Sequence, residues 1–122
     1  MRGMTERKVL QPSAAHPITI APTGRRVTVT VGGAIIAQTD DALTLHESTY
    51  PAVQYIPRAD VVWETLTRSA TTTYCPYKGE ANYYHVGGVE DAVWTYEQPY
   101  PAVAEIAGYL AFYPQKADIG LA

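Results

Sequence analysis

Between residues 26 and 31 polar and apolar side chains alternate one for one. Val27, Val29 and Val31 fall on one side of an extended chain, and Arg26, Thr28 and Thr30 on the other, the period-two pattern of a half-buried strand. Gly32-Gly33 then suits a two-residue hairpin turn that needs positive φ, which predicts Val31 opposite Ala34 and Val29 opposite Ile36. Asp40-Asp41 marks a turn, and residues 42–47 predict a strand with Leu43, Leu45 and Glu47 on one face. After a corner at Tyr50-Pro51, residues 53–56 form another short strand before Pro57.

Residues 57–69 are the one stretch with helical character. Asp60 can cap it, but Val61 and Val62 are poor helix formers, so the prediction is a short helix or a single turn. The threonine-rich run through Thr73 suits an exposed or edge strand. Residues 74–84 read as a hairpin with Lys78-Gly79 near its tip, and Pro76 confines that arm to an edge or a bulge. Val86-Gly87-Gly88 turns the chain again. Ala92, Trp94 and Tyr96 share a face of the next strand, a helical turn falls near residues 103–106, and residues 109–113 make the last strand before Pro114. These elements predict a mainly β, single domain of antiparallel sheets over residues 17–118. Residues 1–16, without periodicity, read as a flexible arm, and residues 119–122 as a fraying tail.

Within that domain, residues 41–56 and 91–106 align without gaps, with eight of sixteen positions identical. Asp41, Glu47, Tyr50-Pro51 and Ile56 recur as Asp91, Glu97, Tyr100-Pro101 and Ile106, and a Val-Gly-Gly turn precedes each copy. Two copies imply an internally pseudo-symmetric domain rather than a solenoid, which needs three or more.

Composition narrows the function classes. At 122 residues, 47% apolar and 17% charged, the chain can bury one core without covalent staples. A single cysteine permits no internal disulfide and no paired-thiolate zinc site, which points to a cytoplasmic, reducing setting. The start is charged but has no apolar run behind it, so it is not read as a signal peptide, and nothing is long and apolar enough to span a membrane. The net charge of −3 is uneven: residues 1–26 carry five basic groups and one acid, residues 27–122 four basic groups and eleven acids. An acidic domain repels a phosphate backbone, so nucleic acid is not an expected partner.

The phosphate-loop, dinucleotide, zinc-protease and nucleophile-elbow motifs are all absent, and His16, His46 and His85 lie far apart. Neither a metal nor a cofactor is expected. The densest chemistry lies in residues 71–86, which hold Cys75, Lys78, His85 and four tyrosines. Cys75 is either a nucleophile whose thiolate Lys78 stabilises or a small core residue. Lys78 is an anion ligand or an exposed hairpin-tip lysine, and Arg58 an anion ligand or a salt-bridged corner. Glu47 either follows Leu43 and Leu45 inward, where burial would raise its pKa and suit it to acid–base work, or ends its strand in water. The tyrosines offer flat apolar faces with a hydroxyl, for a pocket or for packing.

The series LHES–YPAVQYIPRADV, then T-x-CPYKGEA-x-Y, then AVWTYEQPYPAV-x-x-I-x-x-YLAFY resembles the small bacterial and fungal family known as domain of unknown function 427. The likeness runs in order from about residue 25 to residue 118; His46 and Trp63-Glu64 look less typical. It implies a single domain of folded-over sheets, similar to the β-tent architecture of some zinc-binding proteins but without their zinc cysteines. It implies no established activity. The family carries a nucleotidyltransferase label, yet this chain has no glycine-serine phosphate motif and no Asp-x-Asp pair. Polar and aromatic residues at motif positions include Glu47, Tyr55, Arg58, Cys75, Lys78, Tyr83 and Tyr113, the candidate site.

Three functions follow as expectations. The first is a tyrosine-lined pocket for a small, anionic metabolite, with Lys78 and Arg58 binding charge, Glu47 as polar anchor or base, and Tyr55, Tyr83 and Tyr113 around them. The second is a group-transfer enzyme using Cys75 or Glu47. The third is a ligand-free module that self-associates, for instance as a homodimer.

Overall fold

Alternation becomes structure first in β2 (Val27–Val31), where Val27 and Val29 are fully buried while the threonines between them are half-exposed. The computed structural model describes residues 7–122. Gly32 and Gly33, both at positive φ, turn β2 into β3 (Ala34–Thr39). The register starts as predicted, Val31 opposite Ala34, but a bulge between Val29 and Thr30 then pairs Val29 with Ala37. The expected Val29–Ile36 pairing is therefore wrong by one residue. The extra residue lets both Ile36 and Ala37 bury while Ile35 faces outward.

The remaining strands are β1 (Ile18–Pro22), β4 (Leu43–Glu47), β5 (Val53–Tyr55), β6 (Leu66–Cys75), β7 (Gly79–Val86), β8 (Val89–Thr95), β9 (Leu110–Phe112) and β10 (Asp118–Leu121). They form three antiparallel sheets, ordered β1-β4-β5, β10-β2-β3 and β6-β7-β8-β9. Among the described residues, helical structure is limited to 3-10 turns at Arg58–Asp60, Trp63–Thr65 and Pro101–Ile106. Val61 lies between the first two turns and bridges to Ala37, so the β-branched pair ends the helical stretch after one turn. The chain is thus mainly β, one domain of antiparallel sheets, as its patterning requires. None of its helical segments is long and apolar enough to cross a membrane, among the described residues.

The four-stranded sheet has a core on each face, and its alternation divides residues between them. Tyr84, Val93 and Phe112 join Val27, Val29 and Ile36 on one side. Tyr83, Trp94 and Ala111 join Leu45, Tyr55, Val103 and Ile106 on the other. Two backbone hydrogen bonds, Ile56 N–H to Leu110 C=O at 2.7 Å and Leu110 N–H to Ile56 C=O at 2.8 Å, fasten the end of β5 to β9. β4 and β8, the strands of the two similar segments, each lie in the middle of a run of three, β1-β4-β5 and β7-β8-β9. Their following elements differ: residues 53–55 make a strand, residues 101–106 a 3-10 turn.

Two boundary expectations fail. Residues 118–121 do not fray; they are β10, paired with β2 from Asp118–Thr30 to Leu121–Val27, and the segment was too short and too far from its partner to be read locally. Of the arm drawn over residues 1–16, residues 1–6 lie outside the described residues. The rest is held against the body: Tyr74 donates its hydroxyl to Lys8 C=O at 2.6 Å, and Leu10 N–H bonds Pro76 C=O at 3.0 Å.

Candidate functional site

The antiparallel register of β1 and β4 places Glu47, last in its strand, opposite Ile18, the first of its own. His16, two residues upstream of Ile18, therefore arrives at the carboxylate, and its Nε2 donates to Glu47 Oε2 at 2.7 Å. Its ring lies flat on Tyr77, with centroids 4.0 Å apart and planes at 4°. From the other side comes the β6–β7 turn. Gly79 adopts φ +112°, a conformation that favours glycine, and the turn is pinned by Lys78 N–H to Cys75 C=O and Tyr100 N–H to Lys78 C=O. This geometry directs the Lys78 side chain inward, where its ammonium donates to Glu47 Oε1.

The exposed hairpin-tip reading of Lys78 and the solvent-ended and raised-pKa readings of Glu47 need correction. Lys78 is a buried lysine, 8% exposed, rather than a hairpin-tip cation in water. The Glu47 side chain is 12% exposed and does not end in solvent. Burial pushes its carboxyl up, but hydrogen bonds and charge from Lys78 and His16 outweigh that and hold it below the ordinary glutamate value of 4.5. It is an ionised anchor, not a carboxyl raised toward neutrality. Because the folded state lowers this pKa, the carboxylate's contribution to stability is complete above the ordinary value and is lost as pH falls through the folded one. The stability difference between wild type and Glu47→Gln, followed by urea unfolding, is expected to shrink steadily from about pH 5 to about pH 3.

Beside this pair opens a cavity of about 700 Å³, bounded by β4, β5, β7, β8, β9 and β10. Leu45, Val53, Tyr55, Tyr83, Trp94, Tyr96 and Tyr113 wall it, Glu47 and Lys78 contribute polar groups, and Tyr50, Pro51 and Ala52 form part of its rim. Trp94 Nε1 donates to the Tyr55 hydroxyl at 3.2 Å, and burial pushes the Tyr55 phenol well above its usual pKa. The Tyr83 hydroxyl bonds Thr73 Oγ1 at 2.9 Å and meets the Tyr113 hydroxyl at 3.3 Å. The Tyr83 and Tyr113 planes are 8° apart with centroids at 6.4 Å. With the hydroxyls that close, the rings must be slipped past one another, making a ledge rather than a stack. Trp94 tilts against Tyr113 at 4.5 Å.

Five of the candidates, Glu47, Tyr55, Lys78, Tyr83 and Tyr113, thus share one cavity. Arg58 and Cys75 are not part of it. Arg58 is exposed in the first 3-10 turn, its guanidinium 4.4 Å over the Trp63 ring, and no salt bridge holds that corner among the described residues. Cys75 packs at the margin of the second core, and the Lys78 ammonium goes to Glu47 instead of to its thiol. His16, Tyr96 and the Tyr50 corner were not picked from sequence. Tyr96 could have been, because it shares a strand face with Trp94; His16 has no local signal, since only pairing of β1 with β4 brings it in. Among the described residues, no three His, Cys, Asp or Glu side chains are grouped to hold a metal ion.

Fold and cavity together define a small antiparallel β-domain with an aromatic-walled cavity beside a buried ion pair. The chain belongs to the family described as domain of unknown function 427, whose model, labelled NTP_transf_9, matches residues 19–122. That match covers every strand from β2 to β10, and with them all the cavity residues named above. No curated protein matches the chain.

Proposed function

We propose that this protein binds a small, flat, largely apolar molecule in the cavity between β5, β8 and β10, in a reducing, cytoplasmic setting suited to its one free cysteine. One observation carries the reading: about 700 Å³ of space walled mainly by aromatic and aliphatic side chains, with four polar residues, Glu47, Gln54, Lys78 and Gln115, among them. That is the form of a small-molecule site, in which apolar walls supply affinity and a few fixed polar groups set orientation. Charge bears on the ligand class. Of the two cations expected to hold an anion, Arg58 lies elsewhere and the Lys78 ammonium is matched by Glu47. An uncharged ligand suits that balance better than an anionic one.

The test is a thermal-shift screen of neutral aromatic fragments against wild type and Ala52→Trp. Ala52 is exposed on the rim, so a tryptophan there would occlude the opening without disturbing a core. Fragments that raise Tm in wild type are expected to lose that effect in Ala52→Trp. Equal shifts in both proteins would place binding elsewhere and end the proposal.

A further inference from the structure

An ammonium has three N–H donors and no acceptor. Among the described residues, the Lys78 ammonium has a single hydrogen-bond acceptor, Glu47 Oε1. Two donors therefore remain on a side chain that is nine-tenths buried and that lines the cavity. Buried polar groups are nearly always satisfied, by protein, water or ligand, because an unmet donor pays its desolvation penalty with no bond in return. The nearest aromatic wall does not meet the need, since Nζ lies 6.0 Å from the Tyr96 ring centroid, at the limit of a cation–π contact. Tyr96 adds a further donor. Its hydroxyl has no protein partner among the described residues, and burial keeps the phenol protonated well above the usual pH range.

Lys78 and Tyr96, both lining the cavity and with Nζ 6.0 Å from the Tyr96 ring, consequently offer N–H and O–H donors beside fixed charges that already cancel. A carboxylate or phosphate ligand would face the Glu47 carboxylate in the same wall, and an ammonium ligand would face Lys78. A neutral oxygen acceptor faces neither penalty. We infer that the ligand is a neutral aromatic carbonyl compound whose oxygen accepts hydrogen bonds from Lys78 Nζ and the Tyr96 hydroxyl, with its ring against Trp94 and Tyr113. The inference rests on the cavity being a binding site, as proposed above, and specifies which end of the ligand is recognised.

The experiment uses four small probes of one size: acetophenone, ethylbenzene, benzoate and benzylamine, titrated calorimetrically into the full chain. Acetophenone is expected to bind about 10- to 100-fold more tightly than ethylbenzene, the range set by a hydrogen bond to a charged donor. Benzoate and benzylamine should both bind more weakly than acetophenone. In Lys78→Met the preference for the ketone should collapse to about the residue of the Tyr96 contact, while ethylbenzene keeps its wild-type Kd. Because the single variant leaves Glu47 Oε1 without its partner, Glu47→Leu/Lys78→Met provides the same comparison in a wall without either charge. A wild-type ratio near one, or a ratio that persists in both variants, would overturn the carbonyl assignment with the cavity reading intact. Failure of all four probes to bind would overturn both.

Discussion

Glu47→Leu is expected to cost about 3 kcal/mol of stability, Lys78→Met about 2 kcal/mol, and the double variant Glu47→Leu/Lys78→Met less than the sum by a wide margin. The reasoning is that a buried ion pair and an apolar pair of similar volume are nearly interchangeable, whereas one buried charge left alone is not. The asymmetry between the singles comes from His16. With Lys78 gone, Glu47 keeps its Oε2 partner at 2.7 Å; with Glu47 gone, the Lys78 ammonium has no protein acceptor among the described residues. Urea unfolding of the four proteins forms a double-mutant cycle, and an interaction energy near zero would show that the pair is not coupled in the folded state.

The second large effect is expected at Leu110. It is fully buried, and its backbone makes both hydrogen bonds that fasten β9 to the end of β5. Truncation to alanine leaves those bonds in place but opens a void at the seam, an expected loss of about 3 kcal/mol. For a chain of this size that corresponds to a fall in Tm of about 10 °C. Val62→Ala, at a position 40% exposed between the first two 3-10 turns, serves as the contrast and should stay within about 0.5 kcal/mol of wild type. Comparable losses from both substitutions would mean that the seam is no more important than the surface.

What could be read from sequence was what is encoded locally. The valines of β2 alternate with threonines, two glycines supply the turn, and the Tyr-Pro corners stop β4 and β8; each depends on neighbours a few residues away. The bulge in β2–β3 was hidden because Ile35 and Ile36 are chemically identical, and only packing decides which one turns outward. β10 was hidden for the opposite reason. Its sequence is weakly patterned, and its partner lies about ninety residues earlier, so nothing nearby marks it as a strand. The site divides the same way. The motif positions of the family resemblance gave Tyr55, Tyr83 and Tyr113, but charge by itself could not separate Arg58, which lies over Trp63, from Lys78, which turns inward. Resolving that required the tertiary placement of the β6–β7 turn, which Tyr100 N–H fastens at Lys78 C=O and which sets Lys78 beside Glu47.

The pairing of β10 with β2 also sets an order of assembly. The β2–β3, β6–β7 and β7–β8 hairpins join segments adjacent in the chain and can close early, whereas β10 must return across almost the whole sequence to reach β2. Ile119 and Leu121, which β10 contributes, line the cavity, so its last wall is set only when the rest of the domain already stands. An occupant then adds its binding energy to the finished protein alone and leaves the earlier steps untouched. Its effect on kinetics would fall on the rate at which the domain comes apart, not the rate at which it forms.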